Sequence, residues 1–453
     1  MPAAATIAAL RFGTGLVPGG APPAGAAALL DDLSGPDPMP ARHPAPSSEA
    51  VRAMILALRE ARAARKDGTG SQQDFRAAQA RLVAAARGNG VAQIARAVAA
   101  PVGFRERLVA FWADHFTVIG RGAEQRPMVL AFADEAIRPH VAGRFADMLR
   151  AAILHPAMLV YLEQNVSVGP NSAAARRGRG LNENLGRELL ELHTLGVGAG
   201  YGQDDVRQMA LLLTGLGWSP QAGMTFRPEA AEPGAETVLG RAYGGPGRAR
   251  IADVEAALDD LARRPETLRH LSRKLAVHFC ADDPDPDLVA TIEAAWRAHD
   301  GALVPVCEAL LSHPAAWDSF GQKIRQPQDF LVAALRALAV GGDGVAALAP
   351  PVANKRLFQP LRRLGQPIGE PAGPDGWPEA ADVWLTSQGL AGRIDWAMTQ
   401  PPFWSRDPGD PRLFLRNALA DAAGPVLTTA VARAESGREA VGLVLASPDF
   451  NRR

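Results

Sequence analysis

Cysteine, lysine, long apolar runs and strand-like alternation are all scarce in this chain, and each shortage excludes something. Only Cys280 and Cys307 occur. Two thiols cannot build a disulfide framework or a cysteine-rich zinc site, and both sit in apolar helical stretches that suit buried free thiols. No apolar run approaches the ~18 residues of a membrane-spanning helix. The N-terminal MPAAATIAALRFGTG lacks the basic and apolar regions of an export signal, so the chain as written reads as cytoplasmic. A basic excess is missing too. The 48 basic residues face 48 acidic ones, which argues against a general nucleic-acid or anionic-membrane binder. Lysine is reduced to Lys66, Lys274, Lys323 and Lys355; with the abundant alanine, that looks like coding bias rather than a phosphate-binding design.

What is present is helix. With 453 residues and 47% apolar content, the chain is long enough for a large core. Helical periodicity marks Phe75–Arg87, Phe104–Ile119, Val141–Leu154, Ile251–Ala262, Leu288–Ala298 and Phe330–Val340. The expected fold is mainly α: a large multi-helix orthogonal bundle with one small β-hairpin near 218–240, its strands Met224–Phe226 and Thr237–Leu239. The chain reads as one domain over 1–453, with sub-lobes 1–165 and 181–453 joined by the loop 166–180. Three places, His155-Pro156, His313-Pro314 and Ser447-Pro448, read as one helix stopping and another starting at an angle. Gly35–Pro46 and Gly365–Pro378 are further Pro- and Gly-rich connections.

The most chemically dense stretch is Asn182–His193. On a regular helix Leu185, Leu189 and Leu192 form the buried face, and Glu183, Arg187 and Glu191 form a row elsewhere, with Asn184 and Glu188 beside it. The row is either a solvated ladder of ion pairs or a covered polar network that positions a ligand. His193 falls on the flank of the leucine face. Position 190 is Leu, so the Glu-x-x-His of helical di-metal sites is absent, as is H-E-x-x-H; no metal or other cofactor is expected. His115 lies in an apolar stripe with Phe111, Trp112 and Phe116 and by itself suits a hydrogen-bonded core. Convergence of His115 and His193 to within about 8 Å would instead mark a proton-transfer site. The Gly196–Gly202 run follows a helix and lacks nucleotide-loop spacing, so a helix C-cap explains it better. Asp282–Asp287 reads as an acidic helix cap rather than a calcium loop, and Arg176-Arg177-Gly178-Arg179 as a solvated basic turn.

These stretches resemble the bacterial family catalogued as domain of unknown function 1800. The matching motifs are ALRFGTG at Ala9–Gly15, RERLVAFWADHFTV at Arg105–Val118, HPAMLVYLEQN at His155–Asn165 and NENLGRELLELHTLGV at Asn182–Val197. They continue as YGQDDVRQMALLLTGLGW at Tyr201–Trp218, TVLG at Thr237–Gly240, LSRKLAVHFCADDPDPDLV at Leu271–Val289, LGQP at Leu364–Pro367 and GWP at Gly376–Pro378. The resemblance implies an envelope or periplasmic setting and a protein partner from the family of unknown function 1501, which looks like alkaline-phosphatase and sulfatase relatives. The chain departs from the family at Leu181, where Pro is usual, and at Gly202, where Thr is usual. It departs again at Ala231, Glu232 and Glu236, where a His-Asp pair and a Lys are usual.

Two readings follow. In the first, a hydrolase-like enzyme, the Asn182–His193 helix, the His115 helix and the Gly365–Trp377 loop enclose a pocket. His193 or His115 is the acid/base there, Glu188 and Glu191 orient it, and Arg187 clamps an anion. The reaction class in that reading rests on the family's neighbourhood. In the second, the chain is a non-catalytic scaffold or maturation partner of a phosphatase-like envelope protein, docking through exposed Trp377 and Trp384.

Overall fold

The amphipathic periodicity is realised as helices packed by their apolar stripes. Ile251–Ala262 is typical: Val254, Ala257, Leu258, Leu261 and Ala262 share one buried face. The computed structural model describes residues 1–175, 180–405 and 409–453, which form a mainly α body with two small antiparallel hairpins. The basic turn Arg176–Arg179 lies outside the described residues.

Apolar side chains gather in two cores. Trp112, Phe116, Phe145 and Trp296 centre the first, with ring centroids 5.5–6.5 Å apart, a spacing that suits edge-on and offset aromatic packing. Phe330, Trp396 and Phe450 centre the second. The long helix Gln72–Ala99 serves both, giving Leu82 to the first core and Ile94, Ala95 and Val98 to the second. The N-terminal segment does the same with Phe12 and Leu10. An ion pair also ties the two cores together: Arg107 on Phe104–His115 meets Asp329 on Pro327–Ala337.

The three helix–proline junctions form as expected, and a side chain secures each. His155 Nδ1 accepts from Ala157 N at 3.1 Å, His313 Nδ1 from Ala315 N at 3.2 Å, and Ser447 Oγ from Phe450 N at 3.1 Å. Each satisfies a backbone N–H that the new helix leaves unpaired. Asp285 likewise caps Pro286–Ala298 through Asp287 N at 2.8 Å. Both cysteines are buried free thiols. Among the described residues no helix is long and apolar enough to cross a membrane.

The hairpin region corrects the sequence expectation. Strands form at both expected places, the second ending at Val238 rather than Leu239, but each pairs with a nearer neighbour. Gly223–Phe226 pairs with Leu216–Ser219, and Gly234–Val238 with Arg241–Gly245. Leu239 and Gly240 both have positive φ (52° and 79°), the signature of the tight two-residue turn whose twist matches a hairpin. Closing such a short loop orders less chain than spanning 227–236 would. Local turns therefore win.

Candidate functional site

The Asn182–His193 stretch does not stay a regular helix. Asn184–Glu188 is α-helical, and Leu189–His193 continues as a wider π-turn. The added residue per turn shifts the phase. Leu190 joins Leu185 and Leu189 in the core, Leu192 is only partly buried, and His193 is 1% exposed. The last-turn carbonyls are left without intrahelical partners, and two histidines use them. His115 Nε2 donates to His193 O at 3.2 Å, and His270 Nε2 to Leu192 O at 3.3 Å.

The polar row faces outward. Arg187 bonds Glu191 at 3.2 Å and Gln203 at 2.9 Å; Gln203 in turn donates to Glu183 at 2.8 Å. Arg187 is 38% exposed, so this network pins the helix to Gln203–Leu212 with a few tenths of a kcal/mol per pair, roughly. Glu188 is half-buried. Burial, reinforced by Glu191, raises its pKa against the pull of Arg187.

Inward lies a group that the sequence reading passed over. Pro265–Phe279 presents His270, Lys274 and His278 at i, i+4 and i+8, hence along one face. Lys274 Nζ lies 3.1 Å from His115 Nδ1. Since the carbonyl of His193 can only accept, the His115 proton sits on Nε2 and Nδ1 accepts from Lys274. The His115 and His193 rings are 6.1 Å apart, and His115 and His270 are 6.4 Å apart. All three imidazoles are held neutral. Burial, then the Lys274 charge, pushes His115 well below its usual range, His193 to about 3 and His270 to about 4. Lys274 is itself lowered by burial, with Asp114 and Glu379 opposing.

Asp114 faces the same space from Phe104–His115. Its carboxylate accepts from Trp377 N at 2.9 and 3.2 Å. Burial nonetheless raises its pKa to about 7, the Trp377 N–H and Lys274 pulling the other way. The Gly365–Pro378 loop reaches Asp114 only because position 376 is glycine. Gly376 has φ +82°, and a Cβ there would lie 2.6 Å from the Asp114 carbonyl oxygen. Next to it, Glu379 accepts from His278 Nδ1 at 2.5 Å and is ion-paired with Lys323 Nζ at 3.1 Å. Arg107 donates to His278 Nε2 at 3.0 Å, which places the His278 proton on Nδ1. Burial pushes Glu379 up, but His278 and Lys323 outweigh it and hold the carboxyl at about 2. Lys323 also pairs with Asp282 at 2.7 Å.

A cavity of about 380 Å³ opens among these groups, lined by Asp114, His115, His270, Lys274, Asp375, Trp377 and Glu379. Two of its walls, the His115 helix and the 365–378 loop, are those read from the sequence. The third is Pro265–Phe279, where Asn182–His193 was expected. Of the residues singled out, His115 lines the cavity and His193 packs behind it; Glu188 stands apart, with Asp375 among its electrostatic neighbours. Arg187 and Glu191 belong to the outer network. Trp384, expected to be exposed for docking, is 4% exposed, its Nε1 donating to Pro378 O at 2.9 Å. Trp377 is half-buried and packs against it, centroids 6.1 Å apart. Among the described residues no group of three or more His, Cys, Asp or Glu side chains is placed to hold a metal ion.

Residues 9–452 match the model of a family described as Protein of unknown function (DUF1800), and the chain belongs to that family. Neither a curated protein nor a solved structure matches it.

Proposed function

We propose that this family member is an enzyme of hydrolase type whose acid/base group is Asp114. The observation that carries the reading is that a partly buried carboxyl and a partly buried amine, Asp114 and Lys274, face one cavity, each with its charged form penalised by desolvation. A carboxyl titrating near neutrality both gives and takes protons efficiently at physiological pH. Asp114 takes the proton of the attacking water and returns it to the leaving oxygen. Lys274 stabilises the negative charge that develops between those steps. His115 positions Lys274 through Nδ1, and the His193 carbonyl fixes His115. In this reading the histidines are positioning groups, because their protonated forms are inaccessible near pH 7. Glu379 lines the cavity but is committed to His278 and Lys323.

The test is hydrolysis of chromogenic esters, glycosides and phosphate esters between pH 5 and 9. One class should turn over with a pH limb near 7, and Asp114→Asn should abolish it while circular dichroism is unchanged. No turnover in any class, or full activity in the variant, rejects the reading.

The partner reading rests on a different feature. Leu390, Ile394 and Met398 recur at i, i+4 and i+8 on Ser387–Thr399 and are exposed, with Phe403 and Leu413 also open. The resemblance supplies a domain of unknown function 1501 protein of the envelope as the partner. Co-purification that Ile394→Glu abolishes supports it; co-purification unaffected by that change rejects this surface.

A further inference from the structure

A second cavity, of about 210 Å³, lies behind the Asp114 wall. It shares Phe111, Asp114, Trp377 and Glu379 with the first and is also lined by Arg325. Arg325 is 1% exposed. A guanidinium carries five N–H donors, yet here only Nε is used, donating to Phe450 O at 2.8 Å. Its Nη2 is buried without a partner.

Among the described residues this makes Arg325 an outlier, since each of the other buried arginines has at least two acceptors. Arg11 and Arg336 each bond several carbonyls. Arg96 holds Asp134 and His43 O, and Arg138 holds Glu106 and Asp37. Arg107 holds Asp329 and His278, Arg393 bonds Asn451 and Arg325 O, and Arg453 bonds Asp329 and His278 O. The carboxylates lining this cavity all have partners other than Arg325: Glu106 has Arg138, Asp134 has Arg96, Asp329 has Arg107, Glu379 has Lys323, and Asp114 accepts from Trp377 N. Arg325 stays cationic at neutral pH, burial lowering it only to about 10. A buried cation with unpaired donors is costly unless something completes it.

We infer that this inner cavity binds a small monocarboxylic acid, its carboxylate paired with Arg325. The open Nη edge of Arg325, to which no carboxylate is bonded, takes the two oxygens of one carboxylate. A planar carboxylate meets the open edge of a guanidinium with both oxygens, whereas a dianion would bring a second charge against Glu106, Asp114, Asp329 and Glu379. Val109, Phe111, Phe132, Val332 and Leu361 supply an apolar surface for a short hydrocarbon body. A cavity of about 150 Å³ accommodates benzene, so this one takes a ligand of that scale and no polymer. The inference does not depend on Asp114 transferring protons.

Titration calorimetry of the full chain with benzoate, benzamide and phenylphosphonate tests it directly. Benzoate should bind at one site, with benzamide weaker by about tenfold or more, since an ionised acceptor roughly doubles the strength of a guanidinium hydrogen bond, and phenylphosphonate weaker because its second charge would face the carboxylates of the lining. Arg325→Met should fold, because replacing a buried charge by an apolar side chain of similar volume is often neutral or stabilising, and it should lose benzoate binding. Lys274→Met, at a residue that lines the first cavity but not this one, should retain benzoate binding even where it removes hydrolysis, which separates this inference from the catalytic one. Absence of benzoate binding to the folded wild type, equal binding by folded Arg325→Met, or tighter binding of the phosphonate overturns it. If Arg325→Met does not fold, Arg325→Lys serves instead; it should bind benzoate more weakly than wild type, and unchanged affinity overturns the assignment.

Discussion

Two charged clusters share the Asn184–His193 helix and obey different physics. On its outer side Glu183, Arg187 and Glu191 form a half-exposed ladder in which water screens every pair. On its inner side the π-turn lends only carbonyl oxygens, and these fix two neutral histidines beside a partly buried lysine and a partly buried aspartate. Both clusters pair acidic with basic side chains, Glu with Arg outside and Asp with Lys and His inside. What marks the inner cluster as a site is a shared cavity in which the charged forms of Asp114, Lys274 and the imidazoles are all penalised by burial.

The largest test of that contrast is Asp114→Asn. It keeps an acceptor for Trp377 N–H, so the fold should survive while turnover falls by about 100-fold or more, as read by steady-state rates beside circular dichroism. Gly376→Ala comes next. The new Cβ meets the Asp114 backbone at a positive φ, and chemical denaturation should show a loss of about 1–3 kcal/mol; an unchanged midpoint would mean that the loop does not press on Asp114.

A pH dependence sharpens the comparison further. The folded-state pKa of Asp114, about 7, lies above its ordinary 3.8. The native state therefore binds more protons than the unfolded chain in that window, and this group makes stability fall as pH rises from about 4 to about 7. Glu379, held at about 2, acts with the opposite sign. Its contribution is present above the unfolded carboxylate value and is lost as pH falls toward 2. Urea stability curves of Asp114→Asn should lose the first slope and keep the second. The smallest effect belongs to the outer ladder: Arg187→Ala should cost less than about 1 kcal/mol and leave turnover unchanged, and a large loss of activity would restore Arg187 to the site.

Much of this molecule was legible in its sequence. Ile251–Ala262 reads off its periodicity to the residue, and the proline junctions announce themselves. What stayed hidden has identifiable causes. A π-turn cannot be seen in a pattern read at 100° per residue, so Leu192 was placed on the buried face and His193 on its flank, whereas Leu190 and His193 are the buried ones. The hairpins followed turn chemistry at Leu239-Gly240 rather than the spacing of apolar triplets. The cavity itself needs three segments distant in sequence, which no local pattern joins. One signal was available. In a chain with four lysines, two of them, Lys274 and Lys323, sit in the buried polar centre, and Lys274 lies midway between His270 and His278 on one helix face. A compact ammonium fits where a guanidinium does not, so in an arginine-rich chain a retained lysine is informative.

The most direct test of the central claim is a carbon-13 NMR titration of the aspartate carboxyls, with Asp114 assigned by its disappearance in Asp114→Asn. The account predicts that Asp114 titrates near pH 7 and moves higher in Lys274→Met, where the opposing positive charge is gone. An Asp114 that titrates near 4 and ignores the loss of Lys274 would contradict it.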